Sequence, residues 1–334
     1  MTSAIGRVAF GGPDLPYRQL RDLLEAEVDA VPPEGRIDFA TYYFRDRALA
    51  AALLRAAERG VEVNIVIEAA PRQRRANEDV RALFAGAPLR SFRVRRWWPG
   101  RLHAKLYAFS HPGRVWTGSF NPSGDDPEDA AMIEKIGDQD RGDNILVELV
   151  DARLVSDLRR LISGLCNASP LSARFSPQLP KTMRAKDVTL FTFPRLRTTP
   201  LEDSIDALRS GDLVKGAVSH LKRGSLTWSL KAAAKRGVGI ELLLHGTERR
   251  VPRKMLADLS AAGVAVQRVG DGKDAPMHAK MVLTENRAGR VVWTGSHNFN
   301  PRSRFLNAEL LLRSESRHLA DTVEERLGEI AARE

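Results

Sequence analysis

Residues Leu102–Asn121 read LHAKLYAFSHPGRVWTGSFN, and residues Met277–Asn298 read MHAKMVLTENRAGRVVWTGSHN. One pattern, H-A-K then a hairpin then W-T-G-S-x-N, is written twice. Residues two apart on a strand share a face, so His103 and Lys105 point one way, as do His278 and Lys280. The return strand brings Ser119 and Asn121, or Ser296 and Asn298, beside them, and the glycine at 118 or 295 permits close backbone approach.

Further out, Leu53–Glu68 (LLRAAERGVEVNIVIE) and Leu230–His245 (LKAAAKRGVGIELLLH) align without a gap. Each reads as a helix, a glycine cap (Gly60, Gly237) and a β-rich apolar run, the second part of a β-α-β unit. First strands are expected over Arg36–Phe44 and Asp212–Leu221. Two repeats in the same order at nearly the same separation predict an α/β protein of two pseudo-twofold-related halves, each a mixed, largely parallel sheet flanked by helices. The Ser- and Pro-rich stretch Asn167–Pro180 makes 167–182 the connector between halves 1–166 and 183–334. Trp116 and Trp293, at equivalent positions, are expected in the core.

The 334 residues are 43% apolar, which excludes disorder as the main theme, and 52 Lys plus Arg against 42 Asp plus Glu leave a net charge of +10 that suggests a polyanionic partner. No apolar run approaches the roughly 20 residues of a membrane span. Met1–Tyr17 has neither a basic segment nor an apolar one with a cleavage site, so a cytoplasmic protein without stable membrane insertion is expected. Cys166 is the sole cysteine, which excludes an intrachain disulfide and a cysteine-based metal cluster.

Each copy of the motif offers an imidazole, a cation, a hydroxyl and an amide, and neither alone is a complete catalytic set. Two copies facing each other would supply a nucleophile, a proton donor for a leaving oxygen, and positive charge for the non-bridging oxygens of a phosphodiester. A neutral imidazole can attack phosphorus while an imidazolium donates the proton, with no need for a metal or another cofactor.

The residues quoted above resemble the phospholipase D superfamily, whose signature H-x-K-x4-D-x6-G-S-x-N stands twice in single-chain members. The resemblance covers roughly residues 36–312. It implies halves packed side by side with facing sites, and a two-step, metal-independent reaction through a covalent phosphohistidine. It also implies that His103 attacks and His278 protonates. Where the signature has Asp, this chain has Ser110 and Glu285; in the family that position is mainly structural. The family's histidine-orienting Glu matches Glu309. In the first half Glu148 is the candidate, with Leu146 as the other register.

For the substrate, Arg72, Arg74, Arg75 and Arg249, Arg250 stand in equivalent loops after the second strand of each copy, where α/β proteins commonly bind ligands. Arg96, Trp97 and Trp98, just before His103, mix cations with aromatics as single-strand binding would use, although solvated arginines and sheet-packed tryptophans fit equally. Ser119 and Ser296 are further candidates for substrate contact. Against a nucleic acid stands the stretch 123–143, with eight acidic residues against Lys135 and Arg141. A nuclease is therefore expected first. A phospholipase, phosphatidyl-type transferase or small-molecule phosphodiesterase comes second, and a non-catalytic nucleic-acid-binding relative third. His111, His220, His245, His297 and His318 read as ordinary residues, His297 alone lying inside a motif.

Overall fold

The computed structural model describes residues 3–94, 100–122, 124, 130–167, 181–196, 199–270 and 275–333. The expected connector 167–182 lies mostly outside the described residues. The first half runs β1 (Ile5–Gly11), α1 (Gln19–Asp29), β2 (Arg36–Thr41), α2 (Arg47–Glu58), β3 (Glu62–Glu68), α3 (Glu78–Phe84), β4 (Arg90–Val94), β5 (Leu106–Ser110), β6 (Gly113–Gly118), α4 (Ala130–Ile136), β7 (Asn144–Leu149) and α5 (Ala152–Asn167). The second runs β8 (Thr182–Ala185), β9 (Val188–Thr192), α6 (Pro200–Asp206), β10 (Leu213–Val218), α7 (Ser225–Lys235), β11 (Gly239–His245), α8 (Arg253–Ser260), β12 (Ala265–Val269), β13 (Lys280–Asn286), β14 (Gly289–Gly295), α9 (Pro301–Phe305), β15 (Leu310–Ser314) and α10 (Arg317–Ala331).

Local chemistry explains the repeated unit. In α2 the run RALAAALLRAAE favours helix, Asp46 caps it by accepting the Leu49 N–H at 2.8 Å, and Gly60, at φ +92°, turns the chain into β3. The strand orders are β1-β7-β6-β5-β2-β3-β4 and β8-β9-β15-β14-β13-β10-β11-β12, the same arrangement with β8 added at one edge. The expected mixed sheets flanked by helices are present, but their parallel share is smaller than expected. It is confined to β2-β3-β4 and β10-β11-β12, because the motif strands return through tight hairpins, which pair antiparallel.

Apolar side chains lie on both faces of each sheet. The outer faces pack under α1–α3 and α6–α8, with Trp116 and Trp293 buried there as expected. The inner faces share one core with α5 and α10, in which Leu106, Val147 and Leu158 belong to the same cluster as Met281, Leu312 and Val323. Each Leu or Met buried there contributes about 1.5–3 kcal/mol, which either half alone would forgo with that face in water. No helix among the described residues is long and apolar enough to cross a membrane.

Two isolated parallel bridges tie the halves, Leu102 to Ala308 and Met277 to Asp143. His103 N and Ala104 N donate to the Ala308 carbonyl at 2.8 Å, and His278 N donates to the Asp143 carbonyl at 3.0 Å. Each H-A-K segment is thereby laid against the segment that leads into the last motif strand of the other half.

Expressed alone, residues 1–166 or 183–334 are expected to give a broad or absent thermal transition and to bind a hydrophobic dye. The full chain is expected to melt cooperatively. A sharp melt from either half alone contradicts the shared core.

Candidate active site

The crossed bridges decide which side chains meet. Ala308 precedes Glu309, and Asp143 precedes Asn144, so each histidine faces a residue of the opposite half. His103 Nδ1 lies 2.8 Å from Glu309 Oε2, and His278 Nδ1 lies 2.9 Å from Asn144 Oδ1. The Asn144 amide is oriented by its own bonds, because Nδ2 donates to the carbonyls of Gln139 and Gly142. Both facing atoms are acceptors, so each Nδ1 carries the hydrogen and each Nε2 keeps its lone pair in the neutral ring.

Asn144 corrects the expectation for Glu148. Glu148 shares its face of β7 but sits four residues along, about 13 Å away. There its carboxylate accepts from Arg7 N at 2.9 Å, Arg7 Nη2 at 3.1 Å and Arg114 Nη1 at 3.2 Å. Leu146, the other register, is core. The register is set by Ser119 and Ser296, whose placement also differs from expectation. Ser119 Oγ donates to Asn144 Oδ1 at 2.9 Å and accepts the Ile145 N–H. Ser296 Oγ donates to Glu309 Oε2 at 2.6 Å and accepts the Leu310 N–H. Both hydroxyls are buried in holding the orienting groups and are absent from the cavity lining. The preceding glycines make this approach possible, since a Cβ on Gly118 would collide with the Ile145 carbonyl and one on Gly295, at φ +139°, with that of Leu310.

His103, Asn121, His278 and Asn298 line a cavity of about 520 Å³. Lys105 and Lys280 are fully buried beneath it, donating to the carbonyls of His103 and His278. Tyr43 N donates to Asn121 Oδ1 at 3.4 Å and Ser219 Oγ to Asn298 Oδ1 at 3.1 Å, which leaves both amide NH2 groups with a donor role. Arg72, Arg249 and Arg250 line the cavity, together with Arg101, Arg302, Lys135 and Lys222, and no carboxylate does so among the described residues. Arg74 and Arg75 stand on a short turn outside it. Arg96, Trp97 and Trp98 lie outside the described residues.

Of the acidic stretch 123–143, Asp125, Asp126, Glu128 and Asp129 lie outside the described residues. The described part presents Lys135, Ile136 and Gln139 to the cavity, and α4 packs through Met132 and Ile136 on Tyr42 and Tyr43. Asp138 is turned into hydrogen bonds with Asp140 N and Arg141, and Asp143 into ion pairs with Arg326 and Arg333.

Burial dominates the electrostatics. It lowers His103, against the opposing Glu309 carboxylate, and lowers His278 further, with Lys280 and Arg250 adding to the effect. Burial brings Lys105 down to about 7 and Lys280 well below the usual lysine range. Glu309 would be raised by burial, but the charge and hydrogen bond of His103 and the charge of Lys105 hold it at about 2. At neutral pH both rings are therefore neutral in the empty cavity, ready to take up an anion together with protons.

The family model described as "Cardiolipin synthase, PLD-like domain" matches residues 33–126 and 206–331. The chain belongs to the phospholipase D superfamily. This superfamily consists of phosphodiester-processing enzymes. Its fold here is similar to that of phosphatidylserine synthase from Haemophilus influenzae (TM-score 0.69, 14% identity, 98% of this chain and 86% of that one). It is also similar to polyphosphate kinase from Porphyromonas gingivalis (0.64, 13%, 96% and 49%) and to yeast tyrosyl-DNA phosphodiesterase (0.52, 11%, 94% and 90%). The chain spans about half the length of the polyphosphate kinase. At these identities the likeness is one of fold, and no curated protein matched in sequence.

In phospholipase D terms, the two departures from the signature fall away from the cavity. Ser110 Oγ accepts the Arg36 N–H at the start of β2, and Glu285 pairs with Arg290 and Leu213 near the far end of β13. The sequence reading missed Asn144, and also His220, which lines the cavity at the place Tyr43 holds in the first half. The signal for His220 was the match of FATYYF to KGAVSHL at the end of the first strand.

Replacing Glu309 by Gln removes the charge that supports the His103 imidazolium. The His103 pKa is expected to fall further, read from ring nitrogen shifts by NMR, while that of His278 stays put. Gly295→Ala is expected to destabilise by about 1–3 kcal/mol in chemical denaturation, because a side chain must then occupy a left-handed conformation against a carbonyl.

Proposed function

We propose that the protein is a phosphodiesterase acting through a covalent phosphohistidine, with nucleic acid as its substrate. The observation that carries this reading is the cavity itself, where two crossed His and Asn pairs, with Lys105 and Lys280 buried beneath them, lie under arginines and lysines and no carboxylate joins the lining among the described residues. His103 is the nucleophile, because its Nδ1–H faces a carboxylate that stabilises the ring as positive charge develops. His278 faces a neutral amide, holds a proton less firmly and is the better general acid.

His103 Nε2 attacks phosphorus, a P–N bond forms, the bond to the leaving oxygen breaks, and His278 Nε2–H protonates that oxygen. A water then gives its proton to His278 as its oxygen displaces His103 from phosphorus. Lys105, Lys280 and the NH2 groups of Asn121 and Asn298 stabilise the non-bridging oxygens. The surrounding cations favour a polyanionic strand, and Asp138 and Asp143, two of the eight acids in 123–143, are engaged in contacts away from the cavity.

A second reading, phosphatidyl transfer or hydrolysis on a lipid, is favoured by the description of the matching family model and by exposed Leu196, Trp228 and Phe305.

Wild type is expected to cut labelled single-stranded DNA or RNA in excess EDTA, with His103→Ala and His278→Ala each slower by at least about 10³-fold. Cutting of short-chain phospholipids instead favours the second reading, and unchanged cutting by both variants refutes the site.

The pH dependence has a definite sign. The nucleophile acts above its pKa and the acid below its own, and burial lowers both. The maximum of kcat/KM is therefore expected below pH 6.5, with Lys105 adding to the alkaline fall near its value of about 7. Bound phosphate raises all three, so the kcat profile is expected at higher pH. A kcat/KM maximum above pH 8 contradicts the assignment.

A further inference from the structure

Arg250 is 6% exposed, yet its Nε and Nη1 are buried without a hydrogen-bond partner. Its backbone carbonyl accepts from Leu221 N, which fixes the residue against the chain leaving β10. Equally buried Arg326 shows what such a side chain ordinarily acquires, since Asp14, Asp143 and Glu329 all pair with it. A guanidinium taken from water is costly unless something pairs with it.

The surroundings make this worse rather than better. Arg249 and Arg72, on the equivalent loops after β11 and β3, line the same cavity, and among the described residues no acidic side chain does. Burial, then the charges of Arg249 and Arg72, bring Arg250 down to about 10. The equivalent position in the first half is Gln73, so this buried charge is on one side only. The same side carries His220 where the first half has Tyr43. His220 lies 3.0 Å through Nδ1 from Ser219 Oγ, whose own hydrogen goes to Asn298. Its Nδ1 therefore donates, and a neutral His220 has its Nε2 left for a ligand.

The scissile phosphate already has Lys105, Lys280 and two amides. We propose that Arg250, flanked by Arg249, Arg72 and His220, forms a second phosphate subsite on the His278 side of the cavity, so that the preferred substrate carries another phosphate beside the one attacked. This rests on the phosphodiesterase reading and narrows it to substrates with two neighbouring phosphates. An internucleotide or terminal phosphate of a nucleic acid supplies that chemistry, and so does a phosphorylated head group of a lipid.

Binding to the full-length His103→Asn variant, measured by calorimetry, tests the subsite without requiring turnover. The ligands are the dinucleotide TpT, its 5′- and 3′-phosphorylated forms, and dihexanoyl phosphatidylglycerol with and without a phosphate on its head-group glycerol. The extra phosphate is expected to tighten binding at least tenfold in one family of ligands, and for the dinucleotides at one end only. A gain confined to nucleotides or to lipids names the source. In the Arg250→Gln background the gain is expected to fall to within twofold of none, with Arg250→Lys retaining part of it. If Arg250→Gln does not fold, Arg72→Ala and Arg249→Ala, at exposed positions, are each expected to reduce the gain at least threefold.

A gain below twofold for every pair, equal gains at both dinucleotide ends, or a gain untouched by these substitutions overturns the proposal. Selective binding by a protein that cleaves no phosphodiester would instead leave the subsite standing and overturn the phosphodiesterase reading.

Discussion

The structure depends on two backbone contacts between halves, Leu102 with Ala308 and Met277 with Asp143. They place the residue after each contact, Glu309 or Asn144, against a histidine of the other half. Without them each half holds a histidine with no orienting partner and an orienting residue with nothing to orient. The shared core of inner-face side chains sets the distance at which these bridges form. The same packing that stabilises the chain thus completes its site.

The site is electrostatically unfavourable when empty. Two lysines, two histidines and a guanidinium are withdrawn from water with Glu309 as their one close carboxylate among the described residues, and their pKa values fall accordingly. Such an arrangement opposes folding and favours an anion, the usual mark of a functional rather than a structural cluster. It is sustained by neutral devices, namely the serine hydroxyls on Glu309 and Asn144 and the lysine bonds to backbone carbonyls.

Most of the architecture was legible because the chain repeats itself: the duplicated H-A-K and W-T-G-S-x-N segments carry strand periodicity, hairpins and facing side chains in plain order. The share of parallel pairing was overestimated, since helix–strand alternation is read most easily in the first three strands of each half and the antiparallel remainder follows from hairpins. Asn144 escaped notice because a 23-residue span separates it from Asn121, against 11 between Asn298 and Glu309, and a search for an acidic residue passed over an amide. Glu148 shares its strand face, so alternation alone could not reject it. The places of His220, Asp138 and Asp143 depend on tertiary structure, which composition does not encode.

The difference between a carboxylate and an amide is the central asymmetry, and on the proposed mechanism it is what makes His103 rather than His278 the nucleophile. It is tested most directly by quenching wild type in alkali during turnover, digesting it, and locating the phosphorus adduct by mass spectrometry. The account predicts the adduct on His103. An adduct on His278, or on no histidine while turnover proceeds, contradicts it.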